Sequence, residues 1–159
     1  MPYTAQDLVA QARAVIEEID VERLRALQAD GVPVIDVREP EEFAAGSVPG
    51  AVNIPRGVLE FQVDGHPALN FMTDPHLSHR REPVILYCRT GGRSALAAEA
   101  LKRLGFDRPL SLAGGYLRWL DAGGTVEGAC AWRTHRERKR PHCRWARRCR
   151  RKPSRPPSC

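Results

Sequence analysis

Residues 84–104 read VILYCRTGGRSALAAEALKRL, and the order of residue types in this stretch decides the fold. Val84 to Tyr87 form a short apolar run, β-branched at its start and aromatic at its end, of the kind that fills a buried strand. After it, Leu96, Ala100, Leu101 and Leu104 recur at helical spacing, Glu99 and Arg103 make an i,i+4 pair, and Gly105 closes the helix. Cys88 therefore stands at a turn from strand to helix, followed directly by two arginines and two glycines.

The flanking sequence repeats this alternation. Thr4 is placed to cap a helix with Asp7 in its first turn, and Leu8, Ala12, Val15, Ile16 and Ile19 keep helical spacing, which predicts an N-terminal helical extension over residues 1–19. Asp20 opens a second helix, VERLRALQAD, that stops at Gly31. VPVIDVR reads as a buried strand with Asp36 and Arg38 at its exit, EPEEFAAG as a short helix after Pro40, and GAVNIP as a further strand. Residues 56–82 are a long polar connection with a helical turn around Leu59 and another after Asp74 and Pro75, and a connection of this length usually carries function or covers the edge of a site. PLSLAGG is a last strand and turn, with Gly114 and Gly115 in the turn, and YLRWLDAGG a last short helix. Strands alternating with helices predict an α/β sandwich around a mostly parallel sheet.

The formal net charge of +6 averages two unlike segments. Residues 1–132 hold 13 Lys and Arg against 18 Asp and Glu, a net of −5, whereas residues 133–159 hold 12 against the single Glu137, a net of +11. Cys88 is alone before the last thirty residues, which hold Cys130, Cys143, Cys149 and Cys159. No apolar run reaches the roughly 18 residues a membrane helix needs, and no basic region precedes an apolar block at the N-terminus. A soluble, cytoplasmic protein with no membrane partner is expected.

Ligands of open α/β sheets bind at the carboxyl ends of strands. A cysteine placed there meets the backbone N–H groups of the loop and the positive end of the following helix. Arg89 and Arg93 add two full charges, and together these conditions favour the thiolate. Gly91 and Gly92, having no Cβ, let the loop curl so that successive N–H groups face one centre. The plainer alternative is an inert strand-end thiol with solvated arginines and glycines that merely turn the chain. The compact grouping of all these residues favours function.

Three ordered segments carry a resemblance: VIDVREPEEFAAGSVPGAVNIP, YCRTGGRSALAAEALKRLGF and LSLAGGYLRWLDAGG. Together they resemble the rhodanese family of single-domain sulfurtransferases, over a domain spanning residues 20–128. The resemblance implies a rhodanese-like three-layer sandwich. It implies a Cys88 nucleophile that takes a sulfane sulfur from an anionic donor such as thiosulfate, holds it as a persulfide and passes it to cyanide or a thiol. The substrate-binding loop would be Arg89, Thr90, Gly91, Gly92, Arg93 and Ser94, its amides holding the persulfide charge and Arg89 and Arg93 orienting the donor. Ser94 would cap the helix and hydrogen-bond the sulfur. No metal and no organic cofactor are implied. Phosphatases that share the fold use a loop one residue longer; with four residues between Cys88 and Arg93, this loop suits a sulfur atom better than a phosphate. A non-catalytic persulfide carrier or regulatory module is the alternative.

Asp36 and Arg38 are secondary candidates, either ordering the floor of the site or forming a structural ion pair with the loop after Pro40. His66, His76 and His79 lack metal-ligand spacing and are expected at the surface. Ser47 stands where the family often has histidine, with little effect expected on the chemistry. Trp119 is expected in the core. Phe61, Phe71 and Met72 either rim the site or tack the long connection to the core.

Residues 129–159 contain no Val, Ile, Leu, Met, Phe or Tyr, so they cannot supply a core. Their charge would suit RNA or an anionic surface, while their cysteines and histidines contain no CxxC pair for zinc. The surge of Arg, Pro, Cys, His and Trp fits a GC-rich gene read out of frame, so a disordered basic tail or a frameshift product is expected. No nucleic-acid partner is expected unless this tail is genuine. Nothing in the sequence reads on oligomeric state.

Overall fold

The computed structural model describes residues 3–64, 77 and 79–128. Helix α1 spans Ala5–Val15 and begins with a reciprocal cap, Thr4 Oγ accepting from the Asp7 N–H while the Asp7 carboxylate accepts from the Thr4 N–H at 2.8 Å. The helical spacing predicts a continuation to Ile19, and here the structure differs. The chain turns extended at Ile16, and Glu17–Ile19 form strand β1. Two causes combine. Val15 and Ile16 are β-branched and stiff in a helix, and Asp20 caps the next helix by accepting from the Arg23 N–H at 2.8 Å, which requires an extended residue there.

Helix α2 (Val21–Ala29) follows, then β2 (Val34–Asp36), α3 (Pro40–Ala44, its proline in the first turn), β3 (Val52–Asn53) and α4 (Leu59–Asp64). Beyond the long connection come β4 (Val84–Tyr87), α5 (Gly92–Arg103), β5 (Pro109–Leu112) and α6 (Gly115–Asp121). Of the helical turn expected after Asp74 and Pro75 only Leu77 is described, helical and buried, and the whole basic segment 129–159 lies outside the described residues. Among the described residues no helix is long and apolar enough to cross a membrane.

The sheet runs β1-β5-β4-β2-β3 with every pairing parallel, so it is buried on both faces as parallel sheets require. Strand periodicity sorts its side chains between two cores. Val84, Leu86 and Cys88 join Ile35, Val37, Leu59, Ala97 and Leu101 beneath α4 and α5. Ile85 and Tyr87 join Leu24, Leu27, Leu110, Leu112 and Trp119 beneath α2 and α6. Each fully buried aliphatic side chain here contributes about 1.5–3 kcal/mol. Trp119 packs in the second core as expected, and its indole N–H donates to the Thr125 carbonyl at 2.8 Å. Helix α1 packs outside α5. The expected α/β sandwich with helices on both faces is what forms.

Candidate active site

The alternation along β4 delivers the Cys88 side chain to the α5 side of the sheet, where the residue is 1% exposed. The chain then reverses into α5 through Gly91, whose φ of +95° lies in the left-handed region. An ideal Cβ there would sit 3.3 Å from the Gly114 nitrogen, so both conformation and space select glycine. The turn aims the Gly91 N–H at Cys88 Sγ, 3.2 Å away, and starts α5 at Gly92, with the positive end of a 12-residue helix beside the sulfur.

The loop is also held from the other side. Tyr116 N–H donates to the Cys88 carbonyl at 2.7 Å and Leu117 N–H to the Arg89 carbonyl at 3.1 Å, so the free amides at the start of α6 find their partners in the loop. A trans peptide holds its N–H opposite its C=O. The N–H groups of Arg89 and Thr90 therefore point away from α6. This approach depends on Gly115, at φ +60°, where a Cβ would fall 2.4 Å from the Cys88 oxygen and 2.8 Å from the Arg89 oxygen. Gly115→Ala is accordingly expected to cost about 2–4 kcal/mol, from the strained backbone and the forced displacement together. Urea unfolding at equilibrium measures it, and a loss below 1 kcal/mol would show that the loop and α6 separate freely.

Ser94 departs from expectation. It is the third residue of α5, not its cap; the cap is Gly91, which offers no side chain. The fully buried Ser94 hydroxyl donates to the Gly91 carbonyl at 3.2 Å and accepts from the Ser111 hydroxyl at 2.9 Å. It thus braces the turn from behind, because helical side chains lean back toward the preceding turn. Ser111 escaped the sequence reading. A serine between Leu110 and Leu112 in a buried strand needs a partner, and that was the available signal.

The two arginines also divide. Arg93 makes a two-pronged ion pair with Glu42 of α3, Nη1 to Oε2 at 2.7 Å and Nη2 to Oε1 at 2.9 Å. Arg89 makes no ion pair among the described residues, and it and Thr90 are exposed. The bond to Glu42 raises the Arg93 guanidinium above its ordinary value, and the bond to Arg93 holds the Glu42 carboxyl below its own.

Asp36 and Arg38 lie on the opposite face of the sheet from Cys88. The Arg38 guanidinium donates to the Asp36 carboxylate through Nε at 2.9 and 3.0 Å and Nη2 at 2.6 Å, and to the Gly46 carbonyl at 2.8 Å. It lies 4.3 Å above the Tyr116 ring and 5.6 Å from that of Tyr87. Burial, followed by the nearby Asp36 charge, pushes the Tyr87 phenol up, and its oxygen accepts from the Val48 N–H at 3.1 Å. The pair therefore ties the loop after α3 to the platform under α6. Of the two readings left open by the sequence, this geometry favours the structural one. Ser47, on that loop, pairs its backbone with Glu127, which lies beyond α6.

His79 is exposed, whereas His66 and His76 lie outside the described residues. Among the described residues no cluster of three His, Cys, Asp or Glu could hold a metal. In α4, Leu59 and Val63 enter the core while Phe61 stays 43% exposed; Phe71 and Met72 are outside the described residues.

Known proteins share this arrangement. A family profile described as rhodanese-like domain matches residues 20–122. The human thiosulfate:glutathione sulfurtransferase is 35% identical over 108 residues, covering 65% of this chain and 92% of that protein. The thiosulfate sulfurtransferase GlpE of Pseudomonas entomophila is 31% identical over 114 residues, covering 70% and 94%. Among solved structures, a Rhodopseudomonas palustris protein of unknown function, described as a possible tyrosine phosphatase, superposes with a TM-score of 0.68 at 32% identity, covering 80% of this chain and 99% of its own. A human single-domain sulfurtransferase superposes at 0.57 and 32% identity, covering 65% and 95%. With a parallel sheet, a cysteine turn at its carboxyl edge and sulfur-transferring relatives matched along nearly their whole length, the chain belongs to the rhodanese-like domain family and is an enzyme of the sulfurtransferase kind.

Proposed function

We propose that this enzyme moves a sulfane sulfur from an anionic small-molecule donor, thiosulfate among them, to a thiol or cyanide through a persulfide on Cys88. The observation that supports this most directly is the bond from the Gly91 N–H to a buried Sγ at the start of α5. A donated N–H and a helix N-terminus stabilise negative charge on the sulfur as it attacks and again in the persulfide. In the first step the Cys88 thiolate attacks the outer sulfur of thiosulfate. The new S–S bond forms as the donor's bond breaks, and sulfite leaves with the bonding pair. In the second step the acceptor attacks the outer persulfide sulfur and the Cys88 thiolate departs with its electrons. Arg89, which follows the nucleophile and makes no ion pair among the described residues, meets the donor's charge.

Phosphate ester hydrolysis fits less well, since the guanidinium fork that would grip a phosphate is already occupied by Glu42. Intact-protein mass spectrometry after incubation with thiosulfate tests the reading. An increment of about 32 Da on Cys88, removed by cyanide, is expected for one sulfur atom held covalently. An unmodified Cys88 would overturn it.

A further inference from the structure

The Glu42–Arg93 pair joins two segments 51 residues apart, on the helix that follows β2 and the helix that follows the nucleophile. Its side chains are 29% and 37% exposed, so it stands where solvent reaches it, at the edge of the loop and not within a core. Both groups remain charged at neutral pH, because each favours the ionised form of the other. The cysteine loop carries two arginines, and the charge of one is offset by Glu42 with both its Nη atoms engaged. Arg89, the loop's other cation, is exposed and makes no ion pair among the described residues. Attraction scales with the product of charges, so an offset positive charge lowers the attraction for a dianion twice as much as for a monoanion.

We propose that Glu42 is a specificity-determining positioning residue: by holding the Arg93 fork it withholds that charge from the donor and tilts the site away from dianionic thiosulfate toward monoanionic organic persulfides. This rests on the Cys88 persulfide reading. With such a donor, R–S–S⁻, the Cys88 thiolate attacks the sulfur that carries the negative charge. The donor's S–S bond breaks as the Cys88 S–S bond forms, and the departing RS⁻ takes a proton from solvent. One charge then sits on the Cys88 persulfide beside the Gly91 N–H, with Arg89 as the loop cation that no carboxylate holds among the described residues.

The test compares kcat/KM for thiosulfate and for cysteine persulfide, with one common acceptor, in the wild-type protein, Glu42→Gln and Glu42→Asp. Glu42→Gln is expected to raise the thiosulfate-to-persulfide ratio about three- to tenfold, chiefly through a lower KM for thiosulfate, and the gain is expected to shrink in ~0.5 M salt. Glu42→Asp keeps the charge, and its ratio is expected within about twofold of wild type. Where Glu42→Gln does not fold, Arg93→Lys, which retains the cation but loses the two-pronged grip, is expected to raise the same ratio. A Glu42→Gln protein whose rates with both donors change alike overturns the proposal and marks the pair as purely structural. A wild-type protein that takes sulfur from neither donor overturns the persulfide reading instead, so the two failures are distinct.

Discussion

Cys88→Ser is expected to lower sulfur transfer at least about a thousandfold while leaving the fold intact. A serine hydroxyl stays protonated at neutral pH, and its oxygen offers no soft thiolate to accept a sulfane sulfur. The replacement is nearly isosteric, and the Gly91 N–H, 3.2 Å from Sγ, retains an oxygen acceptor. Turnover with thiosulfate and cyanide, read beside a thermal melt, checks both halves. Residual activity within tenfold of wild type in a folded Cys88→Ser protein would place the nucleophile elsewhere.

Asp36→Ala is expected to cost about 3–5 kcal/mol, the loss found when one member of a buried ion pair is removed. Asp36 is fully buried and Arg38 is 4% exposed. Without the carboxylate, the guanidinium keeps only the Gly46 carbonyl and two aromatic faces, and a desolvated cation is left without a counter-charge. The damage should reach the active site by a stated route. Arg38 supports the Tyr116 ring, and the Tyr116 N–H holds the Cys88 carbonyl. Urea unfolding gives the stability loss, and the activity of the folded fraction reports the displacement. Replacing both partners with apolar residues of similar volume should recover much of the stability, since it is the orphaned charge that costs. A loss under 1 kcal/mol for Asp36→Ala would mean that water reaches Arg38.

Local pattern carried much of the fold. The apolar run Val84–Tyr87 and the helical spacing after Ser94 place Cys88 at a strand-to-helix turn, and the structure puts it there. The two-residue period also predicts which side chains share a face: Cys88 with Leu86, and Asp36 and Arg38 with Val34. Both facts were present in the sequence, yet the second was decisive only once both faces of the sheet were known to be covered. Strand β1 was not legible, because three residues beside a helical pattern carry little signal of their own. What makes them a strand is the open edge of β5, which pairs Glu17 with Leu110 and Ile19 with Leu112. The partner of Arg93 was hidden for a related reason. Spacing rules reach one or two helical turns, whereas Glu42 meets Arg93 only after two strands and their connections have folded. Ser94 was misjudged because a serine near a helix start suggests a cap, and only the backbone reveals that the cap position belongs to Gly91.

The lateral limits of the described sheet bear on how the molecule behaves among its own copies. One border is β3, only two residues long; the other is β1, whose Glu17 and Glu18 are exposed. A stub offers little ladder for a neighbouring chain to extend, and on the opposite border the Glu17 carboxylates of two molecules would repel each other, while Glu18 is paired with Arg13 of its own chain. The sheet is thereby closed to growth at both flanks, so crowded copies of this domain are disposed to stay apart instead of zipping into ribbons.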